Sequence, residues 1–197
     1  MLRSSHRNTP AKPSSGVTHG KPGAVGLAAI FDGTSGKAAV GDVFEFDAKK
    51  AMSVEVWIQA TAQNRFQYIL HKGVGTAGAE AGYGLSINNQ NRLQFSRADA
   101  TNGFRHATKQ QMVFNTLLHV VGTFDGQTSQ LFVNGKLEDT NTIAGQVSIP
   151  DSSLEFSIGA ASTDFGFFAG TIDEVAIYDK ALSASAIQAH YDLATSP

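Results

Sequence analysis

The sequence predicts an all-β fold, an antiparallel β-sandwich with one short C-terminal helix and an extended N-terminal arm. Three observations predict it. Runs of β-branched and aromatic residues alternate with other residues at a period of two. Hairpin signals separate the runs: Asn88-Asn89-Gln90-Asn91, the five-residue loop 125–129 and the two-residue turn Asn134-Gly135. Only the segment behind Ser183 has helical character. A chain of 197 residues with 13 Phe can fill one core of this kind.

Taken in order, residues 1–26 form the arm. They hold Arg3, Arg7, Lys12 and Lys21, no acidic residue, and Pro10, Pro13 and Pro22. No apolar period runs through them, so the arm is expected to stand apart from a folded body over 27–197. In the body, Val54, Val56 and Ile58 share one face of a strand, and Glu55 and Trp57 share the other. Leu118, Val120, Gly122 and Phe124 alternate with His119, Val121 and Thr123. Leu131 and Val133 oppose Gln130, Phe132 and Asn134. Ile172, Val175, Ile177 and Tyr178 make the last strand, which Asp179-Lys180 breaks. Ser183 is the expected N-cap of a helix packed at an edge of the sandwich. The predicted core contains Val54, Val56, Ile58, Leu131, Val133, Val175 and Ile177.

Composition excludes several classes. No stretch approaches the roughly 20 apolar residues of a membrane span. The N-terminus lacks the apolar core of a signal peptide, so export by the general secretory route is not expected. The chain has no Cys and needs no disulfide. All 17 acidic residues lie outside the arm, which leaves the arm basic and the body acidic. Four basic charges give nucleic acid only weak, salt-sensitive binding, so a protein partner is favoured for the arm.

Catalytic patterns are missing. The acidic clusters are Glu45-Phe46-Asp47, Glu138-Asp139 and Asp173-Glu174. Adjacent strand residues face opposite ways, so the last two cannot act as pairs on a strand. Glu45 and Asp47 would share a face, but an isolated pair reads first as exposed charge at a strand end. No nucleophile elbow and no zinc-type His spacing occur. An enzyme is therefore not expected. The diverse loop 97–106 offers Arg97, Asp99, Asn102, Arg105 and His106 as hydrogen-bonding groups around Phe104. Phe165, between Asp164 and Gly166, is the candidate exposed aromatic contact, whereas Trp57 is expected to pack inside.

The string FFAGTIDEVAIYDKALSASAIQAHY over 167–191 resembles the C-terminal signature of laminin-G-like jelly-roll domains of the concanavalin A-like superfamily. AAIFDGTSGKAAV, MSVEVWIQ, YILHKG, YGLSINNQNRLQFS, HVVGTFDGQTSQLFVNGKL and LEFSIG follow the family's order. Leu117-Leu118 before His119 departs from the tryptophan often found there. The resemblance implies a concanavalin A-like jelly roll that binds more often than it catalyses. The E-x-D-x-E spacing of the related glucanases is absent. A structural calcium ion is also implied, with Asp32 and Asp173 at the matching positions. The alternative is that Asp32 caps its own turn. Two functions stay open. One is a structural or adhesive module on a larger assembly, such as a virion decoration or fibre protein anchored through Arg3, Arg7, Lys12 and Lys21. The other is a calcium-dependent carbohydrate-binding module for a cell-surface glycan, with a glycoside hydrolase as the lesser alternative.

Overall fold

The computed structural model describes residues 11–46, 51–74, 81–99, 103–109, 111–145 and 147–196. In chain order the strands are β1 (Lys12–Pro13), β2 (Val17–Pro22), β3 (Leu27–Asp32), β4 (Ala38–Gly41), β5 (Met52–Ala60), β6 (Gln67–Val74) and β7 (Ala81–Ile87). Then come β8 (Leu93–Asp99), β9 (Gly103–Lys109), β10 (Leu118–Phe124), β11 (Thr128–Val133), β12 (Lys136–Thr142), β13 (Phe156–Ile158) and β14 (Ala169–Tyr178), followed by helix α1 (Ala184–Thr195). Among the described residues the strands form two antiparallel sheets, β1-β4-β13-β6-β7-β8-β9 and β12-β11-β10-β5-β14-β3-β2. The sheets pack face to face as the expected sandwich. All seven predicted core residues lie in the shared core, beside Phe95, Phe124, Phe156 and Phe168.

Strand β14 shows how the sequence places that core. Ile172, Val175 and Ile177 all point inward although the first gap is three residues. A β-bulge between Asp173 and Ala176 absorbs the extra residue, and Glu174 takes a positive φ of 46° to do so. Asp173 is turned away from the core and accepts a hydrogen bond from the Val25 backbone N–H at 3.2 Å.

The helix differs from expectation in place. Ser183 caps it, accepting from the Ala186 N–H at 3.2 Å. However, Ile187 and Leu182 pack on Val121 and Phe132, which lie on the outer face of β10 and β11 rather than at an edge. Val121 and Phe132 are the outward members of their alternating strands, and an apolar outer face needs a cover. Trp57 is buried under the same cover. It stacks on Tyr191 at 5.9 Å and lies 4.9 Å from the His119 ring, outside the inter-sheet core.

The arm also differs. Arg3 and Arg7 lie outside the described residues. Residues 12–13 and 17–22 are strands joined by a turn at Ser15-Gly16, and they do not stand apart. β1 pairs with β4 on one sheet, and β2 pairs with β3 on the other. The chain crosses between the sheets at Gly16, where a Cβ would come within 2.5 Å of Asp32 Oδ2. The expected boundary at 26/27 thus falls in the β2–β3 hairpin. Edge strands are held by backbone hydrogen bonds, which need no apolar period. This is how a polar arm joins a sandwich.

Candidate functional site

The outer face of the β6–β9 sheet carries a groove of about 210 Å3. Alternation builds it. On β7, Tyr83, Leu85 and Ile87 point inward, which turns Gly84 and Ser86 outward. On β8 the outward residues are Gln94 and Ser96, and on β9 they are Phe104 and His106. Tyr68 opposes Ser86 and Ser86 opposes Gln94, giving one row across the strands. His71, Gly84, Ser96 and His106 give the next row. Gly84 keeps the floor low, since a Cβ there would meet the His71 ring at 3.2 Å and the Leu70 carbonyl at 2.9 Å.

Aromatic rings stand at both ends of this polar floor. Phe104 stacks on His106 at 6.4 Å and 19°, and Ser96 Oγ meets His106 Nδ1 at 2.6 Å. At the other end, Phe165 stacks on Phe66 at 6.0 Å and 20°, and Tyr68 meets both rings edge-on. Phe165 is 58% exposed. Its loop is fixed on both sides: the Tyr68 N–H donates to the Gly166 carbonyl at 2.8 Å, and Lys37 pairs with Asp164 at 2.5 Å. From β6 to β9 is three strand spacings, about 14 Å.

His71 is buried and accepts from the Ser162 N–H at Nδ1 at 3.2 Å, which leaves its proton on Nε2. Burial pushes its pKa down to about 4, so it is neutral near pH 7. Among the described lining residues there is no Asp, Glu, Lys or Arg. The floor offers hydroxyl, amide and imidazole groups, and no carboxylate lies among its described lining residues.

The structure divides the residues expected to bind. Phe104 lines the groove and Phe165 joins its aromatic rim. Arg97, Asp99, Phe104 and Arg105 lie on strands β8 and β9, not in a loop; Asn102 lies outside the described residues. Arg97 and Arg105 oppose one another on the inner face, so they cannot reach the groove. Phe66, Tyr68, His71, Ser86, Gln94 and Ser96 were missed. For Ser86, Gln94 and Ser96 the signal was the alternation of polar residues with Leu85, Ile87, Leu93 and Phe95, which marks a solvent-facing row; Tyr68 and His71 join it only through the pairing of β6 with β7.

Asp32 and Asp173 are not brought together. Asp32 opposes Ala169, and Asp173 lies four residues along β14, about 13 Å away. Asp32 caps its own turn: Oδ1 accepts from the N–H groups of Thr34, Ser35 and Gly36, each at 2.8 Å, and Oδ2 accepts from Ser35 Oγ at 2.7 Å. These bonds hold its pKa far below the usual carboxylate range. One ion bridging both aspartates does not fit this geometry. Among the described residues no group of three or more His, Asp or Glu side chains is placed to hold a metal. Glu45 pairs with buried Lys72 at 3.2 Å, and Asp47 lies outside the described residues.

A family model described as the concanavalin A-like lectin/glucanases superfamily, of laminin G type, matches residues 32–188. No curated protein matches the chain significantly in sequence. Among solved structures, the binding domain of botulinum neurotoxin serotype G aligns with a TM-score of 0.72 at 14% identity, covering 97% of this chain and 48% of the toxin domain. Domain 4 of AbnA, a GH43 extracellular arabinanase from Geobacillus stearothermophilus, in complex with arabinotriose, aligns with a TM-score of 0.66 at 16% identity, covering 89% and 81%. The botulinum neurotoxin serotype D ligand-binding domain in complex with N-acetylneuraminic acid aligns with a TM-score of 0.69 at 16% identity, covering 94% and 46%. The chain spans about half the length of the toxin domains it matches.

Proposed function

The chain belongs to the concanavalin A-like lectin/glucanases superfamily, and from that premise we propose that it is a non-enzymatic carbohydrate-binding module whose site is the groove on the outer face of β6–β9. The observation that carries this reading is the pairing of two aromatic platforms with an uncharged polar floor. Sugar rings present C–H faces that pack on aromatic rings and hydroxyls that pair with serine, glutamine and imidazole groups. A floor about 14 Å across suits an oligosaccharide rather than one ring. The uncharged lining favours a neutral sugar over an acidic one. Complexes of structural neighbours with arabinotriose and with N-acetylneuraminic acid support glycan binding on this fold and supply both kinds of sugar for a test.

The test is calorimetric titration with neutral arabino-, xylo-, gluco- and galacto-oligosaccharides and with N-acetylneuraminic acid. Binding is expected for a neutral oligosaccharide and not for the acid. Phe104→Ala and Phe165→Ala should each weaken it about tenfold, the loss of one stacking contact. Affinity for every neutral sugar that is unchanged in both variants would place the site elsewhere.

Display on a larger assembly, including a virion, is a second reading. Its favouring observation is that Lys12 and Lys21 are exposed on edge strands β1 and β2. Calcium is proposed only for Asp32 or Asp173 singly, with carbonyl oxygens completing a shell. Melting curves in calcium and in chelator would coincide if neither aspartate binds it.

A further inference from the structure

The floor of the outer groove holds a buried donor that the protein itself does not use. His71 is only 4% exposed, yet it lines the groove. The hydrogen bonds of its ring fall on Nδ1, which accepts from the Ser162 N–H at 3.2 Å, so the ring proton sits on Nε2. Among the described residues nothing accepts from that Nε2–H. The ring carbon next to it, Cδ2, lies over Gly84, where an added Cβ would stand 3.2 Å away. The missing side chain at 84 leaves this edge of the imidazole open to the groove.

Two kinds of surface flank the donor. The Tyr68 ring lies 4.5 Å from the His71 ring, and Phe66 lies 4.9 Å from Tyr68, which makes an apolar wall. Two strands away on β8, Gln94 donates its Nε2–H to Thr108 Oγ1 at 3.4 Å, which leaves its Oε1 as an acceptor. A buried N–H without an acceptor is costly, so a ligand that covers it must bring an oxygen down to it. A hydroxyl stays close to its sugar ring. An acetamido group reaches further and carries a carbonyl, an N–H and a methyl together. Its carbonyl matches the His71 Nε2–H, its methyl the Tyr68 ring and its N–H the Gln94 Oε1. A carbonyl that reproduces the hydrogen bond of a water on Nε2 displaces that water without loss, and the methyl adds a ring contact.

We propose that the groove selects neutral chains of N-acetylated amino sugars, with His71 as the residue that reads the acetamido carbonyl. This rests on the reading of the groove as a carbohydrate site and adds the substituent it recognises. N-Acetylneuraminic acid carries the same acetamido group, but it brings a carboxylate to a floor with no Lys or Arg among its described lining residues.

The experiment is titration calorimetry of the full chain with β-linked tetrasaccharides that differ in one substituent: N-acetylchitotetraose, cellotetraose and fully deacetylated chitotetraose. The acetylated sugar should bind at least about tenfold more tightly than cellotetraose. The deacetylated sugar should bind no more tightly than cellotetraose. His71→Phe keeps a ring and removes the donor, and should bring the acetylated sugar to within about threefold of cellotetraose. If that variant does not fold, the unaltered chain still decides: the His71 Nε2–H resonance should move on saturation with the acetylated sugar. Equal binding of cellotetraose and the acetylated sugar would overturn the selectivity and leave the carbohydrate reading standing. Equal binding of the acetylated and deacetylated sugars would show that the nitrogen is read and not the acetyl group, and the proposal would fall. Tight binding with an unmoved His71 resonance would assign recognition to another residue and overturn it as well. Binding of neither N-acetylchitotetraose nor cellotetraose would end this inference, and silence across the wider sugar panel would end the carbohydrate reading with it.

Discussion

His71 turns a burial pattern into a pH dependence. Folded, it is neutral, because burial pushes its pKa down to about 4 and Nδ1 accepts from the Ser162 N–H. Unfolded, it takes up a proton near pH 6.5. Between those values only the unfolded chain binds the proton, so stability is full above about pH 6.5, falls as pH drops, and levels off below about 4. The shift corresponds to roughly 3 kcal/mol. Urea unfolding between pH 4 and 7 should show this slope, and His71→Gln should flatten it. A slope unchanged in that variant would assign the acid sensitivity to another group. At this scale the sequence reading was uneven. Phe104 and Phe165 were legible because an aromatic set next to Gly, Asn or Asp stands out on a surface. Arg97 and Arg105 read as polar contacts, and the register between β8 and β9 turned both inward. A shift of one residue reverses every side chain, and local composition does not fix that register.

Among the elements, α1 is held by more than its apolar face. Glu55, on the outer side of β5, accepts from Tyr178 Oη–H at 2.6 Å and lies 2.6 Å from His119 Nε2 and 3.1 Å from His190 Nδ1. Burial raises the Glu55 pKa, but the hydrogen bonds from His119 and Tyr178 outweigh it and hold the carboxyl below its usual value. That contribution is present above about pH 4.5 and is lost as pH falls further. Glu55→Gln should remove about 3 kcal/mol, which lowers Tm by roughly 6–12 °C in a chain of this size. It should also lower the protection of α1 amides against hydrogen exchange. A melt within a degree of the unaltered chain would show that Ile187 and Trp57 packing suffices. The existence of α1 was legible from Ser183 and the run behind it, because capping and propensity are local. Its place was not. Glu55, His119 and His190 are far apart in the chain, and only the pairing of β5 with β10 puts the first two side by side. The bulge in β14 was half legible, since Ile172, Val175 and Ile177 cannot share a face without an extra residue between them.

For the whole molecule, the sharpest revision concerns the N-terminal arm. An arm standing clear of the body would be dispensable for stability. Instead, β1 and β2 close the same side of the sandwich, one strand on each sheet. Ala11 and Val17 pack against the core, and with Pro13 they line a cleft of about 400 Å3 whose apolar part is Ala29, Phe31, Ala38, Ile158 and Ile172 and whose polar part is His19, Asp173 and Glu174. Removing residues 1–26 exposes that apolar part and strips backbone partners from β3 and β4, and unpaired edges favour association. The truncated chain should therefore melt at least about 5 °C lower, the equivalent of roughly 1–3 kcal/mol, and should aggregate sooner on heating. Charge can be separated from this structural role. Lys12 and Lys21 are exposed, so Lys12→Glu with Lys21→Glu should leave Tm within about a degree, as surface substitutions usually do. If the arm also anchors the protein to an acidic partner, the double variant should lose incorporation into that assembly while keeping glycan affinity. An unchanged melt on truncation would return the arm to the role of a detachable tether. Normal incorporation of the double variant would exclude Lys12 and Lys21 from the contact.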